Sequence, residues 1–278
     1  MAIFIVAGEE GRDWLSSALV LNYINKILES ATSPESLLNY YEFYFIPIIN
    51  PDGFVYSKQE DRFWAKNRKV FQPSRLCSEN NAAVGVNIDR NWFFQSGHSI
   101  NAICNSIYIG NRPLSEEETR ALSYILNKIA INLMAFVNLR GFGNLIALPY
   151  ADRSEISSNH YVVLEIMKHV SSIINKQYNT SYPVGTTENY FYNFSGNMAD
   201  WVKRNLNIPI VLTLYMNNGK FLPQEDQILP LSNHLDLLLN ITLTISRDIY
   251  GSLYNKGVKH NFTWILLVLS FNSWIYYG

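Results

Sequence analysis

The sequence predicts an α/β fold: a mixed, largely parallel twisted sheet with helices on both faces. Three observations carry this. Short, continuous apolar runs such as Ala2 to Ala7 and Ile208 to Met216 read as strands buried on both faces. Between them lie longer segments whose apolar residues recur at helical spacing. The two kinds alternate along the chain, the order that covers a sheet on both faces.

Taken in order, Ala2 to Ala7 is a strand, followed by Gly8. Asp13 to Ser30 is a helix on the spacing of Leu15, Leu19, Val20, Tyr23, Ile24, Ile27 and Leu28. Tyr41 to Ile49 is a second strand, ending at a turn, Asn50-Pro51-Asp52-Gly53. A loop-rich stretch from Asp61 to Trp92 carries Arg62, Arg68, Arg75 and Arg90 among aromatic and Asn residues. Arginine's planar fork suits carboxylates, so the stretch is a candidate anion site, and a solvated basic loop is the simpler alternative. Ser115 to Glu118 reads as a capping box opening a helix through about Asn132. Leu133 to Leu139 and Asn144 to Leu148 are strands, and Ser157 to Lys176 is a helix. A polar loop from Gln177 to Asn193 precedes a short helix at Met198 to Asn205 and the strand Ile208 to Met216. Asp226 to Tyr250 is a last helix with a potential break at Pro230. Residues 1–250 thus form one domain, and 251–278 a polar spacer with a hydrophobic tail.

With 278 residues, 48% of them hydrophobic, the chain can bury a large core. A net charge of -1 argues against nucleic acid or a polybasic membrane surface as partner. Cys77 and Cys104 are the only cysteines and read as one disulfide or two buried thiols. Glycosylation sequons at Asn179, Asn193, Asn240 and Asn261 lean toward the secretory route. The first apolar run is too short for a signal peptide and lacks a basic start.

A series of motifs then runs in fixed order. Glu10-Gly11-Arg12-Asp13-Trp14 comes first, followed by Asn50-Pro51-Asp52-Gly53, Asp61 to Arg68 and Gly85 to Trp92. Tyr108 to Thr119, Ser195 to Trp201, Phe221-Leu222-Pro223 and Ile228-Leu229-Pro230 complete it. On these the chain resembles the A/B-type zinc metallocarboxypeptidases, from near its first residue to about Tyr250. The resemblance implies zinc held by His, Glu and His, with a Glu as general base. In this sequence the three ligand positions are Glu10, Asp13 and Arg140, and arginine cannot ligate a metal. None of His98, His160, His169, His234 and His260 falls on a ligand position.

The base position falls near Leu214, with Thr213 or Tyr215 reached by a one-residue shift, and no acid occurs from Trp201 to Phe221. The arginine that polarises the scissile carbonyl is replaced by Ala65. No catalytic residue of the family is intact. By the same resemblance Arg90 is the carboxylate clamp, Arg12 and Arg62 are accessory arginines, and Tyr192 is the closing tyrosine. Asp89 replaces the clamp's Asn partner and is expected to neutralise Arg90, while Ala199 forms an uncharged specificity floor. Arg140 is expected to take the metal's place between Glu10 and Asp13. Cys77 and Cys104 lie near the family's disulfide positions.

The expected function is that of an inactive family member without cofactor, able to bind peptide or protein C-termini ending in an apolar residue, secreted or extracellular. The alternative is residual carboxypeptidase activity on C-terminal apolar or aromatic residues. Only nine residues precede Glu10, where the family has several tens including its first strands. Those strands are therefore expected to be missing from the chain as it stands, leaving an exposed sheet edge. The apolar tail Phe262 to Gly278 is short for a membrane span and suggests a lipid-anchor signal, with a loosely packed extension as the alternative.

Overall fold

The computed structural model describes residues 1–71, 76–78, 81–93, 103–152, 155–191, 194–217, 224–253 and 265–266. A central strand, β1 (Ala2–Val6), lies between β2 (Glu42–Ile46) and the later β5 (Leu133–Arg140), parallel to both. Between β2 and β5 the chain forms a two-stranded antiparallel ribbon, β3 (Leu76–Ser78) with β4 (Asn81–Ala82). After β5 come β6 (Gly143–Leu148), β7 (Val184–Thr186), β8 (Ile210–Asn217) and β9 (Ile265–Leu266). The sheet order is β7-β6-β8-β5-β1-β2-β9, and among the described residues its one antiparallel pair is β6–β8. β6 begins almost where β5 ends, yet β8 lies between them.

One face is covered by α1 (Trp14–Glu29), α4 (His160–Tyr178) and α7 (Ile228–Tyr250), whose apolar sides meet Ile3, Ile5, Val137, Leu139, Leu212 and Leu214. The other face carries α3 (Glu117–Ile129) and α6 (Met198–Leu206), packed on Phe4, Val6, Phe136 and Val211 with Trp92 buried between. Strand alternation thus divides the residues of β1, and most apolar residues of β5 and β8, between two cores.

Four local expectations change. Asn50 to Gly53 is not a plain turn: it opens a helix, α2 (Pro51–Gln59), with the Asn50 side chain accepting from the Gly53 N–H at 2.9 Å. Proline with its fixed φ suits a first helical position as well as a turn, so the tetrapeptide reads both ways. Ser115 does not cap α3: Glu116 is the N-cap residue, without a side-chain cap bond, and the Ser115 hydroxyl donates to its carboxylate at 2.6 Å. Pro230 does not break α7, because it falls in the first turn, where its missing N–H has no helical partner to lose. The polar stretch before Asn193 holds β7 and a single helical turn, α5 (Thr187–Tyr190). At the expected open edge, Ile265–Leu266 lies parallel to Tyr44 and Phe45 of β2, while the rest of Phe262 to Gly278 falls outside the described residues.

A pH effect follows from α6. Asp200 is fully buried, its Oδ2 accepts the Ala151 N–H at 2.8 Å, and burial pushes its pKa up to about 7 against the pull of that N–H and of Arg204. The folded protein holds a proton here that the unfolded chain releases near pH 4. Asp200 therefore contributes stability that is present in full below about pH 4 and is lost as pH rises toward 7, at up to about 1.4 kcal/mol per pH unit. Asp200→Asn removes that slope. Urea midpoints measured across this range check it, and a slope unchanged in the variant would contradict the assignment.

Candidate functional site

The parallel strands β1, β5 and β8 all end at one edge of the sheet, where connections leave toward opposite faces and a crevice opens. The chain leaving β1 runs through Gly8 to Asp13 before entering α1. This turn is pressed onto the start of α2: a Cβ at Gly11 would lie 2.3 Å from the Gly53 carbonyl oxygen, so only glycine fits. Asp13 caps α1 by accepting the Ser16 N–H on Oδ1 at 3.2 Å, and takes the Gly141 N–H on Oδ2 at 2.9 Å. It thereby fastens the head of α1 to the end of β5.

The Arg140 guanidinium, on the last residue of β5, is the hub of the site. It lies 2.8 Å from Glu9 Oε2, 3.1 Å from Asp89 Oδ1 and 3.6 Å from Glu10 Oε1. Burial opposes its charge, but Asp89, Glu10 and Glu9 outweigh burial and lock the proton on. Glu10 is gripped from its other side by Arg12 Nε at 2.7 Å. For Glu10, too, burial disfavours the charge, and Arg140 with Arg12 reverses this, holding its pKa below the ordinary value. Asp13 acts on Arg140 only through space, since its oxygens serve backbone N–H groups, and burial leaves its pKa raised.

Glu9 was not singled out by the sequence reading, although it is completely buried and makes the shortest contact with Arg140. Its Oε2 also accepts the Asn138 amide at 2.7 Å, whereas Glu9 Oε1 and Asn138 Oδ1 are buried without hydrogen-bond partners among the described residues. Burial and then the neighbouring Asp89 charge push its pKa up to about 7. Two adjacent acids after a strand carried the signal for a second site carboxylate, but only the fold, which turns at Gly8 with φ 67°, places both Glu9 and Glu10 against Arg140.

Asp89 and Arg90 lie in the one-turn 3-10 helix Ile88–Arg90, capped by Asn87, whose Oδ1 accepts the Asp89 N–H at 3.0 Å. Asp89 stands closer to Arg140 than to Arg90, whose Nε is 3.8 Å from Oδ2. It bridges the two arginines instead of neutralising Arg90 alone. The Arg90 guanidinium lies over the Phe194 ring, 3.8 Å from its centroid.

Other positions shift in meaning. Arg62 does not line the cavity: it stacks 3.7 Å from the centroid of the Trp14 ring and donates to the Arg12 carbonyl at 2.8 Å, bracing the loop from behind. Ala65 is buried, and its carbonyl accepts the Gly11 N–H at 3.3 Å. On β8 the residue facing the cavity is Tyr215, paired in register with Arg140, whereas Leu214 points into the opposite core by strand alternation. Ala199 is packed in the core under α6 with Met198 and Val202 and does not reach the cavity. Tyr192 lies outside the described residues. Cys77 and Cys104 form a disulfide, closing a loop that contains Asp89 and Arg90.

These residues enclose a cavity of about 300 Å³, at the small end of ligand sites. Arg12, Arg90 and Arg140 with Glu10, Asp13 and Asp89 form its polar side, and Trp14, Phe142, Phe191, Phe194 and Tyr215 its aromatic side. The sequence did not show the aromatic side as one surface because its members come from α1, β8 and separate loops.

The zinc that the resemblance implies does not fit this donor set. A guanidinium stands among the carboxylates that would have to converge on the ion, and Asp13 has its oxygens committed to backbone N–H groups. Comparison with known proteins nevertheless places the chain clearly. The family model described as zinc carboxypeptidase matches residues 1–235. Zinc carboxypeptidase A 1 of Anopheles gambiae is 30% identical over 249 residues, covering 86% of this chain and 55% of that protein. Carboxypeptidase O of Homo sapiens is 28% identical over 258 residues, covering 90% of this chain and 66% of the relative. This chain thus spans between about half and two thirds of those two relatives. Bovine thrombin-activatable fibrinolysis inhibitor, solved in complex with a tick carboxypeptidase inhibitor, superposes with a TM-score of 0.79 at 24% identity over 89% of this chain and 83% of that one. Carboxypeptidase A of Helicoverpa armigera gives 0.80 at 21% identity over 89% and 61%. With the whole sheet, the crevice at its strand ends and the ordered motifs in agreement, the chain belongs to the zinc carboxypeptidase family.

Proposed function

We propose that this protein is a secreted, non-hydrolytic member of its family that holds the C-terminus of a peptide or protein ligand. The observation that carries the reading is Arg140, a permanent cation ion-paired to Glu9, Glu10 and Asp89 at a position where the family's chemistry needs a metal ligand. No carboxylate faces the cavity from β8, where Tyr215 stands at the family's base position, and the cavity's acids, Glu10, Asp13 and Asp89, are engaged with arginines or backbone N–H groups. What such a cavity can still do is grip. Arg90 and Arg12 offer donors to a terminal carboxylate. The surrounding aromatic rings suit one apolar or aromatic side chain.

The test pairs hydrolysis with binding. Chain supplied with zinc is expected to release no C-terminal residue from a peptide ending in phenylalanine. Calorimetry is expected to show binding of that peptide, at least ten-fold weaker for its C-terminal amide and for the Arg90→Met variant. Stoichiometric zinc uptake with turnover would establish the residually active alternative instead. Equal affinity for acid and amide would remove the carboxylate grip.

A further inference from the structure

We infer that Asn179 is an attachment site for an N-linked glycan. The sequon is Asn179-Thr180-Ser181. Asn179 terminates α4 as its C-cap in a left-handed conformation, φ 51° and ψ 39°, which turns the chain sharply and lifts this residue off the helix. Both Asn179 and Ser181 are exposed. Among the described residues the Asn179 amide side chain makes no hydrogen bond, so Nδ2 projects freely. The segment is nonetheless well fixed. The Asn179 N–H bonds the Asn175 carbonyl at 2.9 Å, the Thr180 hydroxyl donates to the Tyr178 carbonyl at 3.3 Å, and the Ser181 carbonyl accepts the Asn144 amide at 2.6 Å. A sugar here meets solvent and displaces no packed group.

The sequon at Asn240 provides the contrast. It lies inside α7, with Nδ2 donating to the Asp236 carbonyl and carboxylate at 2.9 Å each. Its acceptor hydroxyl, on Thr242, is buried at 1% exposure within the helix packing. A folded α7 therefore hides from a transferase what the loop after α4 presents. Asn193 and Asn261 lie outside the described residues.

Location gives the site a bearing on function. β7 pairs in parallel with β6, and β6 starts opposite the end of β8, so the loop from Asn179 to Pro183 enters the sheet on the edge where β5 and β8 end. That is the edge of the cavity. A glycan on Asn179 would flank its mouth two strands from Tyr215, favouring slender chain ends over bulky loops as ligands.

The inference rests on the secretory reading above. In the transfer, Asn179 Nδ2 bonds to the anomeric carbon of a lipid-pyrophosphate-linked oligosaccharide. The carbon–oxygen bond to the pyrophosphate breaks, the lipid pyrophosphate leaves, and the amide nitrogen gives up one proton. To test it, the full chain is expressed behind a cleavable signal sequence, and the Asn179 peptide is mapped after glycan release in heavy-oxygen water. The expected result is labelled aspartate at position 179, lost in Asn179→Gln and equally in Ser181→Ala. The second variant keeps the left-handed Asn, so a folding defect cannot mimic the loss. Asn240→Gln leaves the labelling unchanged. Oxidation of Cys77 and Cys104 in the same sample reports entry into the secretory route independently. An unmodified Asn179 peptide on oxidised chain overturns the site and leaves the secretory reading standing.

Discussion

Replacing Arg140 by leucine is expected to destabilise the fold by roughly 3–5 kcal/mol at neutral pH, the usual effect of removing one partner from a buried ion-pair group. The change leaves Glu9 fully buried and Glu10 and Asp89 nearly so, without the cation 2.8 to 3.6 Å away that balances them. The three carboxylates then repel one another in a low-dielectric pocket. Urea denaturation of Arg140→Leu at pH 7.5 measures the loss, and a decrease under about 1 kcal/mol would show that Arg140 is not the hub. Adding Glu9→Gln to Arg140→Leu is expected to recover part of the loss. This non-additivity separates charge from packing.

The Cys77→Ser, Cys104→Ser double variant is expected to lose about 3.5 kcal/mol, from the entropy of an unfolded chain no longer closed across 27 residues of separation. Its consequence reaches the site, because the closed loop carries Asp89 and Arg90 and Asn87 bonds the Ser106 carbonyl at 3.1 Å. Binding of a free-carboxylate peptide is therefore expected to weaken along with stability, under reducing conditions as in the variant. Full stability with intact binding would show that the packing of Ile88 and Trp92 holds the loop unaided.

The fold was legible in the sequence because strand and helix periodicities are local. β1, β5, β8 and the long helices each announce themselves by their own residues. Local signals failed where one tetrapeptide serves two purposes, as at Asn50 to Gly53, or where short elements such as β7 sit in polar surroundings. At the site, the ordered motifs gave Glu10, Asp13, Arg90 and Arg140 by position. They misplaced the β8 residue facing the cavity by one, since a single-residue shift turns a strand side chain to the other face. They also passed over Glu9.

The sequence by itself therefore determined the alternation of elements, the family, and the presence of an arginine that cannot bind metal. The tertiary structure decided what that arginine does. Glu9, Asp89 and Arg140 lie on three segments far apart in the chain, and only the parallel pairing of β1 with β5 and the loop returning through Ile88–Arg90 brings their charges within about 3 Å. Ion pairing depends on distance and burial, and neither is a property of a residue's place in the sequence.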